Sequence, residues 1–348
     1  MHDQAAFKVR IDEALDAFVQ EEIANLIAID EDLTPIATQL RLAVAGGKRL
    51  RAAFCYWGWR AAGQLDSDAM IRAAAAVELI HSAAIVHDDI IDDSSTRRGA
   101  PTAHVALRTS LPWASTRPLP HAVNLAILIG DLLISWAGQL FTSCGLPAAY
   151  LARTRQLWAT IARELVAGEC LEILHTGRPP RIDRSLDIVR LKTAKYTVER
   201  PLQIGGTLAG ASKDLLSAFT AYAVPLGEAF QLRDDVLGVF GNPMETGKSN
   251  QDDLNGYKPT ALLAITLSTA RLADQEELER LLARGDLDAG HLEIVREIMQ
   301  RSGARERVES MIEERAAVAV RAIEKARLPS STTAAFRSLV SAVVARES

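Results

Sequence analysis

The chain has 348 residues, 48% hydrophobic and 24% charged, an ordinary globular balance that excludes wholesale disorder. Its formal net charge is −5, which argues against a nucleic-acid partner, so any anionic ligand must be held by local cations and not by the overall field. Cys55, Cys144 and Cys170 stand far apart without CxxC spacing; neither a disulfide framework nor a zinc cage is expected, and a reducing cytoplasm fits best.

Met1 to Phe18 shows no basic region followed by an apolar core, so no signal peptide is expected. Leu15, Phe18, Val19, Ile23, Leu26 and Ile27 recur at helical spacing and predict a helix over Asp12 to Ile29. Gly46-Gly47 closes a helix, and Lys48 and Arg51 follow directly. Ala69 to Val86 is apolar nearly all round, as expected of a helix at the centre of a bundle. The stretch from Leu111 to Pro120 holds three prolines and reads as a surface loop. The run from Ala122 to Ala137 is interrupted by Asp131 and is too short to span a bilayer, so no transmembrane segment is expected.

Further helices are predicted over Ala122 to Cys144, Ala148 to Thr176, Ile188 to Tyr196 and Leu215 to Phe240. Beyond these, the pattern predicts helices over Thr260 to Thr269, Gln275 to Arg284, Gly290 to Ser302 and Ala304 to Lys325. Period-two alternation is absent and no linker divides the composition, so one all-α domain over residues 1–348 is expected.

Asp88-Asp89-Ile90-Ile91-Asp92-Asp93 is the strongest local feature. On a helix it forms the pairs Asp88/Asp92 and Asp89/Asp93, with Cβ atoms roughly 5–6 Å apart, a like-charge arrangement that destabilises a helix unless neutralised. A hard divalent cation is the natural partner, and Mg²⁺ takes one or two carboxylates, keeps waters and is completed by substrate phosphate. A solvated acidic helix end is the bland alternative. Asp234-Asp235 forms a second cluster, with Asp252 and Asp253 further on, and two such acidic walls could hold metals around one diphosphate. Lys48, Arg51, Arg97, Arg98, Lys192, Lys248 and Lys258 are candidate phosphate-binding cations, Arg by bidentate grip and Lys as a point charge. His81 lies seven residues before Asp88, on nearly the same helical face, and is either an anion donor or a buried structural histidine.

These segments resemble the trans-isoprenyl diphosphate synthase, or polyprenyl synthetase, family. Gly46-Gly47-Lys48-Arg49-Leu50-Arg51, the run from Glu78 through Asp88-Asp89 and Asp92 to Arg97-Arg98-Gly99, Lys192-Thr193 with Tyr196, Phe230 to Asp235, and Thr246-Gly247-Lys248 occur in the family's order. The resemblance implies an isoprenoid-synthase-type bundle of antiparallel helices around a deep central cavity, and a homodimer. It implies head-to-tail 1'-4 condensation of an allylic diphosphate (dimethylallyl, geranyl or farnesyl) with isopentenyl diphosphate, assisted by Mg²⁺, three ions per active site. By the same resemblance Asp88, Asp92 and Asp234 are metal ligands supported by Asp89 and Asp235. Lys48, Arg51, His81 and Arg98 hold isopentenyl diphosphate; Arg97, Lys192, Lys248 and Lys258 hold the allylic diphosphate; Thr193 and Gln231 present dipoles near the cationic carbon.

Three departures stand out. Gly238 occupies the last position of the second aspartate motif, Glu169 and Glu172 replace the Gln and Asp of a GQxxD stretch, and Tyr257 intervenes before Lys258. Ala83 and Ala84, one turn below Asp88, leave the floor open where farnesyl-length enzymes tend to carry aromatics. Geranylgeranyl diphosphate is therefore the expected product, with farnesyl or longer chains as alternatives, unless Trp136 or Phe141 closes the floor instead. A terpene cyclase, a non-catalytic partner subunit and a His87-Asp88 phosphohydrolase are the other readings.

Overall fold

Ala, Leu, Glu and Arg dominate the sequence, and the chain folds accordingly as an all-α protein. The computed structural model describes residues 4–111, 120–242 and 250–344. Contacts group the chain into two compact units, Met1–Thr154 with Ile204–Gly210 and Arg155–Gln203 with Ala211–Ser348.

The first unit contains α1 (Gln4–Ile29), α2 (Thr34–Val44), α3 (Leu50–Ala61), α4 (Asp68–Ile91), α5 (Ala103–Ser110) and α6 (Pro120–Thr142). Helix α4 packs chiefly on α6 and also on α3 and α1. Met70, Ala73 to Val77 and Leu79 are fully or almost fully buried, which matches an all-round apolar helix. At Gly130 of α6 a Cβ would lie 2.1 Å from His87 Nε2, so glycine there leaves room for the His87 ring to lie against α6. His87 in turn meets the Ile127 carbonyl at 3.1 Å. Helix α6 outruns the apolar stretch seen in the sequence; residues Asp68–Ile91 and His121–Thr142 are both long and apolar enough, by length and composition, to cross a bilayer. The first is largely buried in its own unit, and the two pack on each other.

Apolar spacing alone does not reveal α2, α3 or α5. The α3 segment is buried on almost every side, including Phe54, Tyr56, Trp57 and Trp59, so it presents no polar stripe. Nor does the sequence announce the short β1 (Thr96–Arg97) and β2 (Ala100–Pro101), which pair antiparallel in the register Arg97↔Ala100. Arg98 (φ 53°) and Gly99 (φ 76°) form their turn, and positive φ at both central residues is the hairpin geometry that matches strand twist.

The second unit takes most of α7 (Ala148–His175), with α8 (Ile182–Val189), the start of α9 (Arg200–Leu208) and α10 (Lys213–Phe240). Helices Ala261–Thr269, Leu272–Leu282, Ala289–Arg301, Ala304–Lys325 and Ser330–Val344 follow. The expected helix from Ile188 begins earlier, at Ile182, and then widens into a π-helical stretch over Arg190–Glu199. This wide stretch is packed closely on two sides. A Cβ at Gly168 of α7 would lie 2.6 Å from the Lys192 nitrogen, and one at Gly227 of α10 would lie 2.3 Å from the Ala194 Cα. Such π-helical segments recur at functional sites.

Candidate active site

In the first unit, the C-terminal half of α4 carries a partly exposed stripe of His81, Ala84, Ile85 and Asp88 that continues to its C-cap, Asp92. These positions fall at helical spacing on one face. The helix ends at Ile91, with Asp92 as its C-cap; the Asp92 N–H still donates to the Asp88 carbonyl at 2.9 Å, so Asp88 and Asp92 remain one turn apart. The expected Asp89/Asp93 helical pair does not form. Asp93 has turned into the left-handed region (φ 50°), beyond the helix end. Asp89 instead points inward, nearly buried, and accepts from Arg97 Nε at 2.8 Å and from Arg97 Nη2. Arg97 also approaches Asp88 Oδ2 at 3.6 Å. The first acidic segment therefore separates into an outward pair, Asp88 and Asp92, and an inward carboxylate held by an arginine.

Lys48, Arg49, Arg51, Arg97 and Arg98 all belong to the same unit. The turn between α2 and α3 puts Gly46 (φ 71°), Gly47 (φ 93°) and Arg49 (φ 53°) in the left-handed region, and Lys48 is exposed. Arg98 Nη1 donates to the Ala45 carbonyl at 2.7 Å, and a Cβ at Gly47 would lie 3.1 Å from Arg98 Nη2. The bare glycine is what lets the guanidinium lie against the turn. His81 is set among Arg51, Arg98, Arg97 and Arg49; burial first, and then those positive charges, hold its pKa well below the ordinary imidazole range. His81 is thus a neutral imidazole near neutral pH, able to donate one N–H to an anion. His87 faces the α6 backbone instead of sharing a face with Asp88, which removes the geometry a His-Asp phosphohydrolase reading needs.

In the second unit, Thr193 Oγ1 donates to Gln231 Oε1 at 2.6 Å, and Gln231 Nε2 donates to Asp235 Oδ1 at 3.0 Å. The other Asp235 oxygen accepts the Ala261 N–H at 3.1 Å. Burial pushes the Asp235 carboxyl up to about 7, and Asp253 and Asp234 add to the rise. Asp234, its neighbour, is only partly buried. The π-helical stretch brings Lys192 Nζ to Glu169 at 2.8 Å and Glu172 at 2.6 Å, so the two substituted glutamates grip the lysine between them. Lys258 Nζ lies 3.5 Å from Asp253 Oδ1. At Gly238 a Cβ would meet Asp253 Oδ2 at 3.0 Å, so a carboxylate from another segment lies beside this glycine. Thr246, Gly247 and Lys248 lie outside the described residues.

Sequence reading missed the network of Asp12, Arg49 and Glu78, in which the arginine and the glutamate are buried. Arg49 Nε donates to Asp12 Oδ1 at 2.7 Å, and Glu78 Oε1 accepts the Ala52 N–H at 2.8 Å. One signal was visible: a glutamate in the middle of an otherwise apolar helix requires a buried partner.

An all-α bundle with two aspartate-bearing helices and a cluster of arginines beside a glycine turn has the features of the isoprenoid synthase fold. Residues 35–299 match the polyprenyl synthetase family model, and the chain belongs to that family. It is a prenyltransferase of the trans-prenyl diphosphate synthase kind. A geranylgeranyl pyrophosphate synthase from Corynebacterium glutamicum, solved with isoprenyl diphosphate and magnesium, superposes with a TM-score of 0.92 at 32% identity, covering 98% of this chain and 99% of that one. Geranylfarnesyl diphosphate synthase of Aeropyrum pernix is 31% identical over 72% of this chain and 76% of its own length. All-trans-nonaprenyl-diphosphate synthase of Rhodobacter capsulatus is 29% identical over 92% of this chain and 89% of its own. These relatives are named for different product lengths.

Proposed function

We propose that the chain, acting as one domain, condenses isopentenyl diphosphate with an allylic diphosphate and releases mainly geranylgeranyl diphosphate. Asp88, Asp92 and Asp234 are the proposed metal ligands. The donor set suits Mg²⁺: among the described residues no three His, Cys, Asp or Glu side chains form a ready cage, and Mg²⁺ is ordinarily held by one or two carboxylates together with substrate phosphates. Bound there, three Mg²⁺ ions would offset the charge that builds on the departing diphosphate. Asp89 and Asp235, both inward, orient the helices that carry the ligands. Asp253 stands in for the acid that Gly238 lacks.

Lys48, Arg51, Arg98 and neutral His81 bind isopentenyl diphosphate in this reading. Arg97, Lys192, Lys248 and Lys258 bind the allylic diphosphate. Thr193 and Gln231, locked to each other, turn fixed dipoles toward the carbon that becomes positive, which costs no reorganisation at the moment of reaction. The allylic C–O bond breaks, the isopentenyl double bond attacks the resulting cation, and a proton leaves to the departed diphosphate; no His or Glu base is needed.

The stripe on α4 is the observation that carries the product assignment. Ala84 lies on that face below Asp88 with the buried Ala83 beside it; Ile85 is the bulkier neighbour on the stripe, and no Phe, Tyr or Trp projects from α4. Trp136 is buried and packs edge-on against Phe18 at 6.2 Å, inside the core of its own unit. A homodimer is supported by the apolar Ile127, Leu128 and Ile134, left exposed along one side of α6. The unpaired cysteines go with a cytoplasmic setting.

The test is turnover of labelled isopentenyl diphosphate with each allylic primer in the presence of Mg²⁺, with chain-length analysis of the products. Geranylgeranyl diphosphate should dominate, and Ala83→Phe should shift it toward farnesyl diphosphate. Absence of condensation, or a product length that ignores Ala83→Phe, would contradict the assignment.

A further inference from the structure

The turn from Ala45 to Arg49 sits between the C-terminus of α2 and the N-terminus of α3, two helix ends whose last carbonyls and first amides lack partners within their own helices. Arg49 and Glu78 satisfy both ends. Arg49 Nη2 donates to the Val44 carbonyl at 2.8 Å, closing α2, while Arg98 closes the next carbonyl, at Ala45. Glu78 Oε1 accepts the Ala52 amide at 2.8 Å, closing α3 from a different helix. The two side chains approach each other at 3.9 Å, both nearly buried, and Asp12 of α1 completes the pairing with Arg49 Nε at 2.7 Å. Arg49 is also the N-cap of α3 and stands at φ 53°, a conformation that a residue with a Cβ adopts only when its surroundings hold it there. Its guanidinium, though amid a cation cluster, is turned inward and fully engaged, whereas Lys48, one residue earlier, is exposed.

We propose that Arg49 is a positioning residue: anchored by Asp12, the Val44 carbonyl and Glu78, it holds the glycine turn in the shape that presents Lys48 and Arg51 to the diphosphate of isopentenyl diphosphate. The inference rests on the reading that Lys48 and Arg51 grip that diphosphate. It separates neighbours of one basic run into two that bind substrate and one that shapes the binders. A Lys at 49 keeps the charge but cannot serve Asp12 and Val44 in a fork. A Gly at 49 accepts φ 53° without strain but abolishes every side-chain tie.

The experiment is steady-state kinetics of Arg49→Lys, Arg49→Gly and Asp12→Asn, varying each substrate separately, with Lys48→Ala as the control and thermal unfolding of each variant alongside. Arg49→Lys should raise KM for isopentenyl diphosphate about tenfold and leave KM for the allylic diphosphate within about twofold. Asp12→Asn, at the partly exposed end of the network, should produce a smaller shift of the same selectivity and keeps the test open if the Arg49 variants misfold. If Lys48→Ala raises KM for isopentenyl diphosphate while the Arg49 and Asp12 variants match wild type, or raise both KM values equally, the positioning role is overturned. An Arg49→Gly variant that matches wild type would reduce Arg49 to a backbone role and overturn it too. If Lys48→Ala itself leaves KM unchanged, the site reading falls and takes this inference with it.

Discussion

Asp88-Asp89 on α4 and Asp234-Asp235 on α10 are both adjacent carboxylate pairs, and in each the second member is buried while the first is only partly so. They differ in what holds the buried carboxylate. Asp89 faces the guanidinium of Arg97, while Asp235 has only a neutral amide from Gln231 and the Ala261 N–H, and burial carries its pKa up to about 7. They differ again one turn on, where α4 ends in Asp92 and α10 has Gly238, with Asp253 close by. Consecutive aspartates are thus split in each pair into a buried member and a partly exposed one, and the glycine at 238 has a carboxylate from another segment beside it.

The largest expected effect falls on the outward members. Asp88→Ala and Asp234→Ala should each lower turnover by at least about a thousandfold, with unfolding temperatures close to wild type, since neither side chain is buried. A next, smaller effect probes the vacancy in the second motif. Gly238→Asp should not restore a stronger site; its carboxylate would collide with Asp253 and lower turnover about tenfold, and adding Asp253→Asn should recover most of the loss. Improved turnover or a lower Mg²⁺ requirement in Gly238→Asp alone would show that Asp253 does not fill the role.

Much of this was legible beforehand because spacing along a helix is geometry: Asp88, Asp92, His81 and Ala84 share a stripe as their numbering requires. What was hidden depended on the chain turning. Asp93 leaves the helix through a left-handed residue, Arg97 curls back through the Arg98-Gly99 turn to reach Asp89, and Arg49 is aimed inward by its own positive φ. The π-helical stretch was hidden too, since its close packing depends on Gly168 and Gly227 of other helices. Asp252 and Asp253 were both candidates to lie near the second motif, and it is Asp253 that sits beside Gly238.

The smallest prediction concerns the cation cluster beside the first pair. His81 has a folded pKa below its unfolded value, so the folded state favours the neutral ring and the unfolded chain takes up its proton first as pH falls. The contribution is complete above about pH 6.5 and is lost toward the lower folded pKa, by up to about 1.4 kcal/mol per pH unit. Denaturant titrations between pH 7.5 and 5.5 should show wild-type stability falling below about pH 6.5 and a shallower fall for His81→Gln. Equal slopes would place the imidazole in a less confined setting.

The proposed metal roles of Asp88 and Asp234 require both carboxylates for Mg²⁺-dependent binding of a diphosphate. Calorimetric titration of the protein with inorganic pyrophosphate, with and without Mg²⁺, tests this requirement most directly, because it needs no turnover and no prenyl chain. The account predicts a Mg²⁺-dependent binding event in wild type that is lost in Asp88→Asn and, separately, in Asp234→Asn. Retention of that event in either variant would contradict it.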